Sequence, residues 1–325
     1  TRSLCDWSSD VCSSDLAHDP IKPLFGGAFA VDDYAIALKG FFLVATYVTI
    51  LISVDYIGEG DYYQGEFYFL LLCSVLGMTA MVSARDLISL FVALETISIP
   101  TYVLAGFRKH DRVSNEAAIK YYLVGAISSA VMLYGMSLIY GLTGTTMLSQ
   151  IAAKVGSVEQ SKLLAVAIFL SLLGFAFKVS AVPFHWWAPD TYEGAPTPVT
   201  AFLSVASKAG GFAALLNIIF FGFGTRASMW WGVIWILAAA SMTLGNLTAL
   251  RQTNIVRLLA YSSVAQGGFI LVPFAAYGIA RDNGNLEVAH SAFQSVIVYL
   301  LVYGAMNLGA FAVVITVARR TRSAE

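Results

Sequence analysis

The sequence predicts an all-α protein, a polytopic membrane bundle of about nine transmembrane helices with one helix broken near Lys178 and Pro183. Of its 325 residues, 58% are hydrophobic and only 12% are charged, and the mean hydropathy is +0.73. Soluble domains carry about 25% charged residues, so the composition argues against a soluble enzyme. The net charge of −1 points to no particular partner, and we expect no nucleic acid.

Apolar stretches of membrane-spanning length follow one another along most of the chain. A bilayer core about 30 Å thick needs roughly 20 apolar residues per helix. We predict crossings near residues 33–54, 66–83, 87–106, 117–140, 162–183, 197–221, 229–249, 254–277 and 289–318. Because the connections are short and contain no polar domain, we expect the helices to pack as one bundle.

Basic residues of the connections predict the orientation. If nine helices alternate, three basic clusters fall on one side, which the positive-inside rule assigns to the cytoplasm. These clusters are Arg108, Lys109 and Arg112; Arg251 and Arg257; and Arg319, Arg320 and Arg322. The end that precedes residue 33 then lies outside.

The first sixteen residues, TRSLCDWSSDVCSSDL, do not fit this pattern. They are polar and lack the basic start and apolar core of a signal peptide, so we expect a non-native or disordered leader. Residues 17–32 are predicted to be a linker, and residues 33–325 the transmembrane domain. Since Cys5 and Cys12 lie in the leader and Cys73 stands alone in an apolar helix, we expect no metal and no cofactor bound by this chain.

Three ionisable residues fall within apolar helices, where charge is costly: Glu95, Lys178 and Lys208. On insertion scales each charge costs about 2.5 to 3.5 kcal/mol at a helix centre. Such residues are typical of a path for protons or ions. The alternative is a buried structural ion pair plus a lysine that snorkels, but Lys208 lies too far from either helix end for its amine to reach the headgroups.

Prolines and polar residues are most concentrated in VPFHWWAPDTYEGAPTPV, residues 182–199, between the fifth and sixth predicted helices. Its four prolines stop both helices and free backbone groups, which we expect His185, Asp190, Tyr192 and Glu193 to satisfy. Trp186 and Trp187 are predicted to form an interfacial belt. His185 is either a proton entry point or part of a rigid polar hairpin.

Long motifs carry a family resemblance. The strings LFVALETISIPTYVLAGF, SNEAAIKYYLVGAISSAVMLYG, FKVSAVPFHWWAPDTYEGAPTPVTAFLSVASKAG and NIVRLLAYSSVAQGGFILVP occur in this order. They resemble the antiporter-like membrane subunits of NADH-quinone oxidoreductase (respiratory complex I), most closely the subunit N family. The resemblance covers about residues 33 to 318. It implies that the transmembrane domain is antiporter-like and lacks the family's first helices and its C-terminal exit helices.

The resemblance also implies roles for the buried charges. Glu95 and Lys178 match the residues that form a pair in the family, and breaking that pair shifts a proton toward Lys208. A nearby carboxylate stabilises a charged amine, so moving one partner changes the proton affinity of the other. Lys120 matches the family pattern AAxKY but lies in a first helical turn, and we expect it at the interface. Gln266 stands where some relatives have histidine and has no titratable group.

Three functional hypotheses remain from the sequence. The first is a proton-translocating subunit of NADH:quinone oxidoreductase in the bacterial inner membrane, with NADH and quinone used by other subunits and the partners being other membrane subunits and lipid. The second is a subunit of a cation/proton antiporter, which would exchange sodium without NADH. The third is a structural membrane scaffold, which would tolerate neutral replacements of Glu95 and Lys208.

Overall fold

The computed structural model describes residues 22–58, 64–158 and 161–321. The predicted leader and Arg322 lie outside these ranges. The stretch predicted as a linker contains a two-stranded antiparallel hairpin, β1 (Lys22–Leu24) and β2 (Phe29–Val31).

Helices make up nearly all of the remaining described chain. In chain order they are α1 (Asp33–Gly58), α2 (Gln64–Ser83), α3 (Leu87–Ala105), α4 (Arg112–Thr143), α5 (Leu148–Val155), α6 (Ser161–Lys178), α7 (Trp187–Gly194), α8 (Thr197–Gly222), α9 (Trp231–Ala249), α10 (Ile255–Asp282) and α11 (Leu286–Thr321).

The predicted fold class is confirmed. Eight helices of the described chain are long and apolar enough to cross a membrane. The predicted fifth crossing, α6, has 18 residues, and at 1.5 Å per residue it extends only about 27 Å. It ends at Lys178, so the break predicted near Lys178 and Pro183 is also confirmed.

Short polar residues set several helix boundaries. Asp86 precedes α3 and accepts a hydrogen bond from the Ser89 backbone N–H, as an N-cap should. Asp111 and Asn254 act in the same way at α4 and α10. Gly144 ends α4 in the left-handed region, with φ +67°, where glycine is free of the Cβ penalty.

Helix α8 forms the centre of the bundle, since its whole apolar stretch is buried. It is not uniformly α-helical: Leu203–Ser207 and Asn217–Gly222 are π turns on either side of the α-helical segment Lys208–Leu216. π turns interrupt the regular ladder and occur frequently at functional sites. The first π turn thus directly precedes Lys208, one of the three charged residues that the sequence places inside an apolar helix.

The turn predicted between α6 and α8 contains a helix of its own, α7. Pro189 falls in its first turn, where a missing N–H costs nothing. Pro196 precedes α8 and Pro198 lies in its first turn. The prolines thus start two helices as well as ending one.

The belt prediction is wrong for Trp187. Its side chain is buried, stacks on Tyr121 with ring centroids 4.4 Å apart, and donates its indole N–H to the Phe177 carbonyl at 3.1 Å. Trp186 is exposed, as an interfacial residue is. The indole N–H finds a carbonyl partner at the helix break, so Trp187 is buried there and does not lie at the membrane surface.

Charged contacts collect at the two ends of the bundle. At one end Arg108 donates to the Ala195 carbonyl at 2.8 Å, and Arg257 pairs with Asp190. At the other end Arg85 pairs with Asp32 at 2.6 Å and donates to Asn217 at 3.1 Å. The first of these ends contains Arg108 and Arg257, which belong to two of the basic clusters predicted to be cytoplasmic.

Candidate functional site

Lys178 is the last residue of α6, whereas the predicted crossing continued to residue 183. Its side chain is buried, and its amine donates to Ser98 Oγ at 3.0 Å and to Tyr121 OH at 3.3 Å. A cation at this helix end lies beside the partial negative charge of the free carbonyls. The α6 break therefore places the amine beside hydroxyl groups of α3 and α4.

Glu95 is half-buried in the middle of α3, and its carboxylate accepts a hydrogen bond from Ser129 Oγ of α4 at 2.5 Å. Ser98 lies three residues further along and therefore on the same helix face. Thr101, a further three residues on, shares a 3.3 Å contact with Tyr121 OH. One polar face of α3 thus connects the carboxylate to the surroundings of Lys178.

Glu95 and Lys178, which the resemblance leads us to expect as a pair, form no ion-pair contact in the described structure. The Glu95 charge acts on Lys178 through space. Within the described residues, however, no nitrogen–oxygen distance of 4.0 Å or less joins a carboxylate to Lys178 or to Lys208. The roles of Glu95, Lys178 and Lys208 in proton translocation remain predictions.

Lys208 follows the first π turn of α8 and is 1% exposed. Its amine donates to Ser263 of α10 twice, to the hydroxyl at 2.5 Å and to the backbone carbonyl at 2.9 Å. The prediction that Lys208 cannot snorkel agrees with this burial. Serine oxygens stabilise an ammonium but do not neutralise it, so no counterion among the described residues holds the amine.

A hydrogen-bonded chain continues from Ser263 to α11. Tyr303 OH lies 3.0 Å from Ser263 Oγ and donates to the Ser204 carbonyl, also at 3.0 Å. Asn307 donates to Ser204 Oγ at 2.8 Å and to Tyr303 OH at 3.2 Å. Gln266 accepts from Tyr299 at 2.5 Å. Lys208 therefore faces a polar layer shared by three helices.

His185 lies in the loop before α7, partly exposed, with its Nδ1 atom buried and without a hydrogen-bond partner in the described chain. Its ring centroid is 6.5 Å from that of Tyr261. The structure connects His185 to neither buried lysine by a hydrogen bond, so its role in proton entry remains a prediction.

Asp190 and Glu193 do not satisfy freed backbone groups as predicted. Asp190 pairs with Lys120 at 2.9 Å and with Arg257 at 3.0 Å, and Glu193 pairs with Arg257 at 2.6 Å. Lys120 also pairs with Glu116 at 2.8 Å. Burial alone would raise the pKa of Asp190, but the bonds and charges of Lys120 and Arg257 outweigh it and hold that pKa below its ordinary value.

The freed backbone of the break finds other partners. Ser241 Oγ of α9 accepts from the Val182 N–H at 2.9 Å. Thr200 Oγ1 donates to the Tyr192 carbonyl at 2.8 Å. Buried backbone groups near the membrane core need such partners because lipid supplies none.

Several site residues were missed by the sequence analysis. Ser98, Tyr121 and Ser129 contact the charges directly. Ser204, Tyr303 and Asn307 continue the hydrogen-bonded chain from Ser263, the partner of Lys208. Ser98 follows Glu95 by three residues, and this spacing could have shown that the two side chains share one face of α3. The spacing of four between Tyr303 and Asn307 was a signal for a polar face on α11.

No set of three or more His, Cys, Asp or Glu side chains in the described ranges is arranged to hold a metal ion. The groups that converge are amines, hydroxyls and one carboxylate. Amines and carboxylates bind and release protons, and hydroxyls hydrogen-bond to them.

Fold and site together define a class: a polytopic helical membrane protein whose central helices carry ionisable residues facing buried hydroxyl groups. Comparison with known sequences gives the family. Residues 84–325 match the family described as NADH:quinone oxidoreductase/Mrp antiporter, TM, and the chain belongs to it.

Individual relatives agree with this assignment. The chain is 45% identical over 298 residues to NADH-quinone oxidoreductase subunit N of Trichlorobacter lovleyi, covering 91% of this chain and 59% of that protein. It is similar to a chain of respiratory complex I from Thermus thermophilus, with a TM-score of 0.73, 36% identity and coverage of 90% and 60%. A chain of the Mrp complex from Dietzia sp. DQ12-45-1b gives a TM-score of 0.73, 26% identity and coverage of 88% and 52%. The chain thus spans about three fifths of the length of the subunit N relative.

Proposed function

We propose that this chain is part of a subunit N of NADH-quinone oxidoreductase and carries protons within the membrane between Lys178 and Lys208. Electron transfer from NADH to quinone belongs to other subunits, and this chain binds neither. Its partners are the other membrane subunits and the lipid of a bacterial cytoplasmic membrane. The 45% identity to a bacterial subunit N supports this choice within the family.

One observation carries the proposal: Lys208 is 1% exposed, and within the described part of the chain its amine bonds only to the oxygens of Ser263. A lysine kept for structure would be expected to pair with a carboxylate, because leaving a charge buried and unpaired is costly. An amine without a fixed counterion binds and releases a proton when a nearby charge moves. Glu95, which already acts on Lys178 through space, is the charge placed to start that sequence.

The proposed mechanism uses only groups of this chain. When the Glu95 carboxylate stabilises Lys178, the amine of Lys178 holds its proton. When that stabilisation is withdrawn, Lys178 releases the proton and neutral Lys208 takes it up. Ser98 and Tyr121 orient the first amine and Ser263 orients the second, so the exchange begins and ends at fixed positions.

The test is Lys208→Met in the full-length subunit within the assembled complex. We expect NADH-driven proton pumping and coupled NADH:quinone turnover to be lost, because methionine fills the volume but binds no proton. Lys208→Arg keeps the cation but does not release its proton, so it should lose pumping as well. Lys154→Met is the matched control, because Lys154 is exposed and bonds only to the Thr143 carbonyl in the described structure.

Wild-type pumping in the Lys208→Met complex would refute the proposal. The second candidate, a cation/proton antiporter subunit, is favoured only by the likeness to the Mrp chain. It predicts sodium-dependent proton exchange in membranes without NADH, and absence of that exchange excludes it.

A further inference from the structure

The Tyr192 hydroxyl is buried without a hydrogen bond. The side chain, on α7, is 1% exposed, and its oxygen has no partner of good bonding geometry in the part of the chain that the structure describes. A buried hydroxyl left unsatisfied costs about 1–3 kcal/mol, so its retention calls for a reason other than stability.

Polar neighbours of this hydroxyl belong to the surroundings of both lysines. The Ser263 hydroxyl lies close enough to interact with it, and Ser263 is bonded to Lys208. Tyr121, which accepts a hydrogen bond from Lys178, belongs to the same aromatic cluster as Tyr192. Trp187 links the two rings, since it stacks on Tyr121 and meets Tyr192 edge-on at 6.4 Å.

The helices of the two lysines are in direct contact at this level. A Cβ added to Gly211 of α8 would lie 3.0 Å from Lys178 Cγ. Lys208 precedes Gly211 by three residues, so it lies on the same side of α8, one turn away. Lys178 of α6 and Lys208 of α8 thus lie where these two helices meet.

We propose that Tyr192 is a proton relay between Lys178 and Lys208, acting together with Tyr121 and Ser263. This inference rests on the function proposed above and adds the route. Tyr192 carries a buried hydroxyl near Ser263 that makes no hydrogen bond in the described chain, and so it is free to reorient from one neighbour to the other.

Each transfer conserves atoms and charge. The Lys178 ammonium gives a proton to the Tyr121 oxygen while Tyr121 gives its own hydroxyl proton onward. Tyr192 and Ser263 do the same in turn, and the last proton binds the neutral Lys208 amine. One N–H or O–H bond forms for each that breaks, every hydroxyl ends neutral, and rotation of the hydroxyls restores the starting arrangement.

The ion pairs of α7 position this relay. Asp190 precedes Tyr192 by two residues and is held from both sides, by Lys120 of α4 and Arg257 of α10. Glu193 follows it directly and is also held by Arg257. Since these contacts fix a helix of only eight residues, they fix the phenol that it carries.

The test compares Tyr192→Phe with Tyr277→Phe in the assembled complex. Tyr277 is the matched control because it too is buried and has an unpartnered hydroxyl, but it packs on Phe220 and Trp230 away from the lysines. Each change removes an oxygen that makes no hydrogen bond in the described chain, so neither assembly nor thermal stability should decrease. We expect Tyr192→Phe to lose most NADH-driven pumping and coupled turnover, and Tyr277→Phe to lose neither.

A third variant separates a relay from a packing role. Tyr192→His supplies a group that binds and releases protons, and it should pump better than Tyr192→Phe although it packs less well. Equal loss in the two variants, or equal loss in Tyr192→Phe and Tyr277→Phe, would overturn the relay. Lys208→Met measured in parallel separates the two proposals: if it fails to pump while Tyr192→Phe pumps normally, only the route through Tyr192 is wrong.

Discussion

At the scale of residues, Gly211 sets the distance between the two lysine-bearing helices. A Cβ there would meet Lys178 Cγ at 3.0 Å and Val179 Cγ1 at 3.1 Å. Such contacts are tighter than packed carbon atoms accept, so the neighbours would have to shift. The absence of a side chain at this position therefore determines where the Lys178 stem lies.

We expect Gly211→Ala to impair proton pumping without unfolding the protein. Overpacking of this kind costs about 1–3 kcal/mol, and here it displaces the Lys178 side chain from Ser98 and Tyr121. Gly141→Ala is the control because nothing lies within 4 Å of its added Cβ. Pumping and the thermal midpoint of the purified complex check both variants. A Gly211→Ala complex that pumps like the wild type would show that the Lys178 position is not critical.

The sequence analysis identified the charged residues of the site but missed the hydroxyl groups that surround the lysines. Charges in apolar helices are rare and costly, so Glu95, Lys178 and Lys208 stand out in the sequence. Hydroxyls do not, because many bond their own backbone: Thr46 donates to the Phe42 carbonyl at 2.6 Å and Ser53 to the Thr49 carbonyl at 2.6 Å. Only the packing of α3, α4 and α6 distinguishes Ser98 and Tyr121 from such residues.

At the scale of elements, α7 is the segment that the sequence describes least well. Its prolines suggested a turn, yet Pro189 is compatible with a helix because it falls in the first turn. The membrane helices were predicted within several residues because their apolar length is set by the bilayer. An eight-residue helix has no such constraint, and it is held by side-chain contacts distant in sequence.

We expect Asp190→Asn to loosen α7. The change removes the ion pairs with Lys120 and Arg257, and partly exposed pairs contribute roughly 0.2–1 kcal/mol each. Limited proteolysis between α6 and α8 in detergent should become faster. Asp55→Asn is the control, since it removes one exposed pair, with Arg319 at the end of α11. Equal protection of α7 in Asp190→Asn and wild type would mean that the ion pairs do not hold it.

The same ion pairs predict a pH dependence. Because the pKa of folded Asp190 lies below its ordinary value, its contribution to stability is present above the ordinary carboxyl pKa and is lost as the pH falls through the lowered one. Protection of α7 should therefore decrease on acidification in the wild type. In Asp190→Asn that part of the pH dependence should be absent, and hydrogen exchange of α7 measured at a series of pH values checks it.

At the scale of the whole molecule, two charged ends enclose an apolar bundle whose described interior holds two buried lysines, Lys178 and Lys208. Arg85 joins Asp32, before α1, to Asn217 in the second π turn of α8. Arg257 and Lys120 hold α7 at the opposite end. This division agrees with the orientation derived from the basic loops, which places the α7 end in the cytoplasm.

Cysteine labelling tests that orientation. Leu250, beyond α9, and Phe25, in the hairpin, are both 83% exposed and lie at opposite ends. In a cysteine-free background, a membrane-impermeant thiol reagent should label Leu250→Cys only in inverted vesicles and Phe25→Cys only in right-side-out ones. The reverse result would invert the topology.

The burial of Lys208 has a consequence for biosynthesis. Its partner Ser263 is 55 residues later in the chain, so at usual translation rates the amine waits roughly 3 to 11 s for α10 to emerge from the ribosome. Throughout that interval α8 carries a charge that lipid does not solvate. We therefore expect the insertion machinery to retain α8 until α10 arrives.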